Sequence, residues 1–166
     1  MTDVAPSRCS PELATAGLAT VGLLDCHPVR DAAELASHFA VRRAVFVREQ
    51  ALFADDRDTH DDDPATVHVL GRVAGVCAGT VRLYVTHGTT WKGDRLSVLP
   101  EHRHAGLGGP LVRLAVSTAA ARGGTRMDAM VQAGNTTFFI GLGWTPVGGV
   151  VEHVGVAHQA MTIALG

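Results

Sequence analysis

The chain is short of cysteine, of charge of one sign and of long apolar runs, and each shortage removes a class of protein. Its three cysteines, Cys9, Cys26 and Cys77, are odd in number, widely spaced and without a CxxC pair. That argues against a disulfide framework and a cysteine zinc site, and fits idle thiols in a reducing cytoplasm. Charge is nearly balanced, with 14 Lys+Arg against 16 Asp+Glu, so there is no broad electrostatic footprint for nucleic acid or anionic lipid. No stretch reaches the roughly 18 to 20 consecutive apolar residues of a membrane helix. Asp3, Pro6, Arg8, Pro11 and Glu12 stand where a signal peptide has a cationic end and an unbroken apolar run. The expected setting is therefore cytoplasmic, with neither nucleic acid nor membrane as partner.

What is present suits one folded unit. The 166 residues are 46% hydrophobic and 18% charged, with mean hydropathy +0.17, enough apolar surface to offset chain entropy. Residues 1–16 mix Pro, Ser, Thr and Ala without periodicity and read as a loose arm, leaving 17–166 as a single domain. A strand is expected over Gly17 to Cys26. Asp31 and Glu34 have capping-box spacing and start a helix whose Leu35, Phe39 and Phe46 form an apolar face to about Gln50. An acidic loop follows from Asp55 to Asp63. The β-branched runs Thr66 to Val73 and Val76 to Thr86, broken by Ala74-Gly75, predict a hairpin, and Thr89 to Val98 a third strand ended by Pro100. Leu111, Leu114, Ala115, Thr118 and Ala119 make a helical stripe, with Pro110 in its first turn and Gly123 as its cap. A strand from Arg126 to Val131, a short helix from Asn135 to Leu142, and strands Trp144 to Val147 and Val151 to Leu165 complete the chain. The order β-α-β-β-β-α-β-α-β-β is a mixed α/β domain.

Between the third strand and the second helix lies a glycine-dense turn, residues 103–109. Such a turn presents unpaired amides to an anion at the positive end of a helix dipole; it also serves simply to join strand to helix. No Gly-Lys-Ser/Thr follows and the dinucleotide GxGxxG spacing is absent, so nucleoside triphosphates and NAD are not indicated.

Val98-Leu-Pro100-Glu-His-Arg103-His-Ala-Gly106-Leu-Gly108-Gly109 resembles the acyl-coenzyme A signature of the GCN5-related N-acetyltransferases. About 30 residues downstream, Asn135-Thr-Thr-Phe138-Phe139-Ile-Gly-Leu142-Gly143-Trp144 is similar to that family's Asn-x-x-Phe-Tyr-x-x-Leu-Gly-Phe segment. Arg43-Ala-Val-Phe46-Val-Arg-Glu49-Gln50 resembles a bacterial subgroup associated with nitrogen starvation, as does the terminal Ala-His158-Gln159-Ala-Met161. The resemblance implies the acyl-CoA N-acyltransferase fold, a central and mostly antiparallel sheet flanked by helices. It implies acetyl-coenzyme A as cosubstrate, no metal, and a small-molecule amine as acceptor; a homodimer is compatible with it. By the same resemblance, amides of His104, Ala105, Gly106, Leu107, Gly108 and Gly109 hold the pyrophosphate. Leu96 and Val98 offer backbone contacts, and Arg103 contacts the cofactor or braces the loop. Asn135 touches the coenzyme arm or caps the short helix, and Phe139 occupies the position of the family's acidic tyrosine.

Acetyl transfer needs a neutral amine near the thioester, an amide for the developing oxyanion and a route for the amine proton. Asp94 lies just upstream of the proposed thioester contacts and is the candidate base; paired with Arg95 or Lys92, it is instead an edge ion pair. Phe139 has no hydroxyl, and Tyr84, the only tyrosine, sits on another strand where its ring packs. None of the nine histidines forms an HxxxH or HExxH pair, which leaves no metal motif; His68 and His158 remain candidates for chemistry. Six of the residues from Asp55 to Asp63 are Asp, yet the central Gly and terminal Glu of an EF-hand are missing. That loop reads as a solvated connector or as an attractor for a cationic amine. The sequence thus points to an acetyl-CoA dependent N-acetyltransferase working by direct transfer in a ternary complex. The alternatives are an acyl-homoserine-lactone synthase-like acyltransferase, which shares a Val-Phe-x-x-Glu-Gln region, or a non-catalytic acyl-CoA sensor.

Overall fold

The computed structural model describes residues 23–166. The arm expected over 1–16 and most of the strand expected from Gly17 lie outside the described residues. Strand β1 runs Leu24–Pro28, helix α1 Ala32–Arg42, β2 Val67–Val73, β3 Val76–His87, β4 Thr90–Val98, α2 Gly108–Ala121, β5 Arg126–Gln132, α3 Thr136–Gly141, β6 Thr145–His153 and β7 Val156–Ala164. The strands form one seven-stranded sheet in the order β1-β2-β3-β4-β5-β7-β6. All neighbours are antiparallel except β4 and β5, which α2 connects as a parallel pair. Among the described residues no helix is long and apolar enough to cross a membrane.

Half of the expected capping box forms at α1. Asp31 Oδ1 accepts from the Glu34 amide at 2.8 Å, but the buried Glu34 carboxylate accepts instead from the Arg30 amide at 2.9 Å and from His27 and Arg72. The helix then continues as a π-helical turn over Arg43–Glu49, whose wider winding lets the adjacent Val45 and Phe46 both face inward, at 2% and 8% exposure. The last two strands differ from expectation at their junction. Instead of breaking at 148–150, β6 runs on to His153, because residues 148–150 form a bulge between the pairs Val147↔Ala160 and Val151↔His158. Gln159 Nε2 holds that bulge by donating to the Val147 and Gly148 carbonyls at 3.0 and 3.1 Å, and the chain turns at Val154-Gly155 instead.

The period-two alternation of β2 sends Gly71 toward α2 and His68, Leu70 and Arg72 toward α1. A Cβ at Gly79 would lie 2.7 Å from Leu107 and 2.8 Å from Leu111, so the missing side chains let α2 settle directly on the sheet. This close approach, with Leu107 and Leu111 fully buried, fixes the start of α2 over the end of β4.

Beneath α1, His38 is wholly buried, with Nε2 3.5 Å from the Val81 carbonyl. Burial, together with His68 and Arg42, pushes its imidazole down to about 3, whereas an unfolded histidine binds its proton near 6.5. Between those values the unfolded chain holds more protons, so stability must fall as pH drops from about 6.5. We expect the thermal midpoint to fall between pH 7 and pH 5, and to fall less in His38→Phe; equal decreases in both proteins would show that His38 is not the source.

Candidate functional site

The parallel strands β4 and β5 pair only at Thr90–Lys92 against Arg126–Asp128. Beyond that they part, and the cause lies in β4. Its register against β3 slips between Ser97 and Asp94, where Arg95 and Leu96 together oppose Val81. Arg95 takes φ +53° at this bulge, and a bulge bends the strand that carries it, whereas β5 stays straight through its full pairing with β7. The split opens into a cleft of about 820 Å3. The backbone of β4 past Lys92 thus has no strand on its β5 side, and its free groups line the opening.

The glycine turn stands at the mouth of this split. Pro100–Ala105 winds into a 3-10 helix, Gly106 takes φ +77° with open space where a Cβ would stand, and α2 begins at Gly108. A 3-10 turn uses its own amides in i→i+3 bonds, so His104 and Ala105 are committed within the turn. The amides of Gly108 and Gly109 begin a helix and have no intrahelical acceptor. Arg103 braces this arrangement: Nε donates to the Val98 carbonyl at 3.0 Å, and both terminal nitrogens bind Glu49, at 2.8 and 2.6 Å. The guanidinium in turn holds the Glu49 carboxyl below the usual range.

Of the residues singled out from sequence, Asp94, Leu96, Val98, Arg103, Gly106, Gly108, Gly109, Asn135 and Phe139 line the cleft. His104, Ala105 and Leu107 do not, and the Leu107 side chain belongs to the core. Asn135 sits at the N-terminus of α3 but makes no capping bond, so the capping role is not filled and its amide is left toward the cleft. Phe139 is buried and packs edge-on against Trp144 with ring centroids 5.4 Å apart.

The registers define a polar face on the α1 side of the sheet. Arg82 pairs with Asp94 and Tyr84 with Lys92; Lys92 pairs with Asp128, and four residues further along β5 Gln132 pairs with His158. Arg82 is completely buried. Its guanidinium donates to Asp94 at 2.8 and 2.7 Å and to Asp58 at 2.6 and 2.9 Å. Burial alone would lower its pKa, but these carboxylates raise it above the ordinary arginine value. Asp94 therefore pairs with Arg82, not with Arg95 or Lys92, and both its oxygens are engaged, which leaves it poorly placed to take a proton.

The segment 55–63 is divided: Asp55, Asp62 and Asp63 are exposed, whereas Asp56, Asp58 and Asp61 are drawn into ion pairs. Asp58 caps a short 3-10 turn over Thr59–Asp62, and Arg95 reaches it at 2.9 Å. Asp61 is buried and accepts from Arg42 at 2.7 and 3.0 Å and from His68 at 2.9 Å. Burial would raise the Asp61 carboxyl, yet these bonds hold it far below the usual range. His68 is thus drawn into a structural network. Tyr84 does more than pack: it stacks on His60 with centroids 4.0 Å apart and faces the cleft, where burial pushes its phenol up to about 12. Phe46, from the Arg43–Gln50 motif, completes this wall with Phe53, Lys92, Arg95 and His153, which carried no motif. The spacing of Thr80, Arg82 and Tyr84 in an otherwise apolar strand was the one available signal.

Residues 30–137 match the acetyltransferase (GNAT) family. Among solved structures the chain is similar to Escherichia coli ElaA, at 22% identity and a TM-score of 0.75 over 84% of this chain and 99% of that one. It is similar to an acyl-CoA N-acyltransferase from Pseudomonas aeruginosa, at 23% identity and a TM-score of 0.73 over 84% and 97%. It is also similar to BjaI, described as a CoA-dependent acyl-homoserine lactone synthase with SAM and isopentyl-CoA, at 21% identity and a TM-score of 0.69 over 81% and 77%. These likenesses establish a shared mixed α/β acyl-CoA N-acyltransferase fold.

Proposed function

The chain belongs to the GNAT acetyltransferase family, and from that premise we propose that it moves an acetyl group from acetyl-coenzyme A directly to the amine of a small molecule bound in the same cleft. The observation that carries this reading is the split between β4 and β5, whose free backbone edge runs into the glycine turn at the start of α2. The residues present fit the coenzyme. Gly106 leaves open space at the mouth, the Gly108 and Gly109 amides suit the pyrophosphate, and the Leu96 and Val98 backbone suits the extended arm. Asn135 is free to bind that arm, and Phe139 supplies an apolar wall. Acetyl-coenzyme A supplies an activated carbonyl and a good leaving thiolate, so the absence of a tyrosine hydroxyl at Phe139 need not prevent transfer.

Placement in the nitrogen-starvation subgroup is a finer part of the same proposal, supported by the Arg43–Gln50 segment and by Ala157-His158-Gln159. A cytoplasmic setting is another part. It is supported by the three widely spaced cysteines, odd in number and without a CxxC pair. The likeness to BjaI favours testing a second reaction, acylation of a SAM-like amine from a branched acyl-coenzyme A.

The test is thiol release from acetyl-coenzyme A and from a branched five-carbon acyl-coenzyme A thioester with a panel of small primary amines that includes SAM, with products identified by mass spectrometry. Amine-dependent release with an acetylated product is expected. Transfer of the branched acyl group to SAM alone would support the synthase reading, coenzyme binding without any turnover the sensor, and no binding at all would overturn the proposal.

A further inference from the structure

With both Asp94 oxygens engaged by Arg82, the amine proton needs another acceptor, and the geometry points to His158 Nε2 as that acceptor, given the acetyltransferase reading above. His158 is 6% exposed and lies on the α1 side of the sheet, across the split from Asp94. Its Nδ1 stands 2.8 Å from the Val156 carbonyl. A carbonyl oxygen can only accept, so Nδ1 carries the hydrogen and Nε2 of the neutral ring keeps its lone pair. Nε2 makes no hydrogen bond among the described residues. Since His158 lines the cleft, a fixed tautomer presents a lone pair to the space where the acceptor must sit. Few arrangements suit a base better.

His153 from β6 lies beside it, with ring centroids 5.2 Å apart, and the charged and titratable groups that share the cleft are Lys92, Asp94 and Arg95 from β4, Tyr84 from β3, Asp58 and His60 beside the 3-10 turn, and Arg103. Burial and neighbouring His158, Lys92 and Arg95 hold His153 below its ordinary range. In the transfer, the amine nitrogen bonds the thioester carbonyl carbon and the C–S bond breaks with its electron pair on sulfur. The nitrogen's proton passes to His158 Nε2, and the thiolate takes a proton from solvent.

Two measurements test this. Nitrogen NMR of histidine-labelled protein should show His158 protonated at Nδ1 and bare at Nε2 at pH 8; the reverse tautomer would overturn the assignment without any turnover being needed. The second compares wild type with His158→Asn, whose amide retains a donor near the Nδ1 position, and with His158→Gln, in thiol release with the best amine of the panel. Both variants should lose about a hundred-fold or more of kcat/KM and the acid limb of the pH profile, while calorimetry finds acetyl-coenzyme A binding within about two-fold, which also certifies the fold. If both keep the acid limb and lose only a few-fold, His158 is not the base and the acetyltransferase reading stands. If wild type itself turns over no amine, that reading fails and the base assignment fails with it.

Discussion

Arg82→Met is expected to lower the unfolding midpoint by about 10 °C. The fully buried guanidinium donates to all four oxygens of Asp58 and Asp94 and lies 3.0 Å from Asp61 Oδ1. Methionine fills similar volume but leaves Asp94 without its counter-charge and Asp58 with Arg95 alone, and breaking a buried pair in this way costs about 3–5 kcal/mol. In a domain of this size each kcal/mol shifts the midpoint by about 2–4 °C. Adding Asp94→Asn to Arg82→Met should recover part of the loss, because one stranded charge is then removed. A midpoint change below about 2 °C would show that the network is too wet to matter. The same network predicts an acid limit. Asp58 and Asp61 titrate below the usual carboxylate range, so the stability they contribute is complete above about pH 4 and is lost as pH falls through their folded values.

Gly106→Val should weaken acetyl-coenzyme A binding at least about ten-fold. At φ +77° a β-branched residue is strained by about 1–2 kcal/mol, and its side chain would project into the open space that the coenzyme's phosphates need. Strain alone has a control in Gly75, which has φ +83° and equally open surroundings but lies in the β2–β3 turn outside the cleft. Gly75→Val should cost comparable stability and leave the Kd unchanged. Equal Kd values for folded Gly106→Val and wild type would remove the glycine turn from the binding site.

What was legible in the sequence was local. The turn at 103–109, its Gly106, and the hairpin around Ala74-Gly75 are set by residues a few positions apart, and the structure contains both. The element order was legible for the same reason, since period-two and helical patterns report each segment separately. Contacts between distant segments were hidden. Asp58 and Asp94 meet on Arg82 from 24 and 12 residues away, and no composition signal separates a solvated aspartate from one waiting for a buried arginine. The family resemblance implies a bulge in this strand, but its place at Arg95 was silent, because a non-glycine residue at positive φ carries no sequence mark. His158 could be singled out by resemblance, but its fixed tautomer depends on a backbone carbonyl two residues away, which only the β6–β7 turn brings into place. The bulge at 148–150 misled the strand boundary because Gly148 and Gly149 look like a turn, and the Gln159 side chain that holds the bulge lies on the partner strand.

The central claim is that the β4–β5 split and the glycine turn together receive the acyl-coenzyme A arm. Amide NMR of the labelled chain, titrated with acetyl-coenzyme A, reads this most directly. The account predicts the largest shift changes at Leu96, Val98, Gly106, Gly108 and Gly109, with the Asn135 side-chain amide moving alongside them. Saturable changes confined to another part of the sheet, with these amides unmoved, would contradict it.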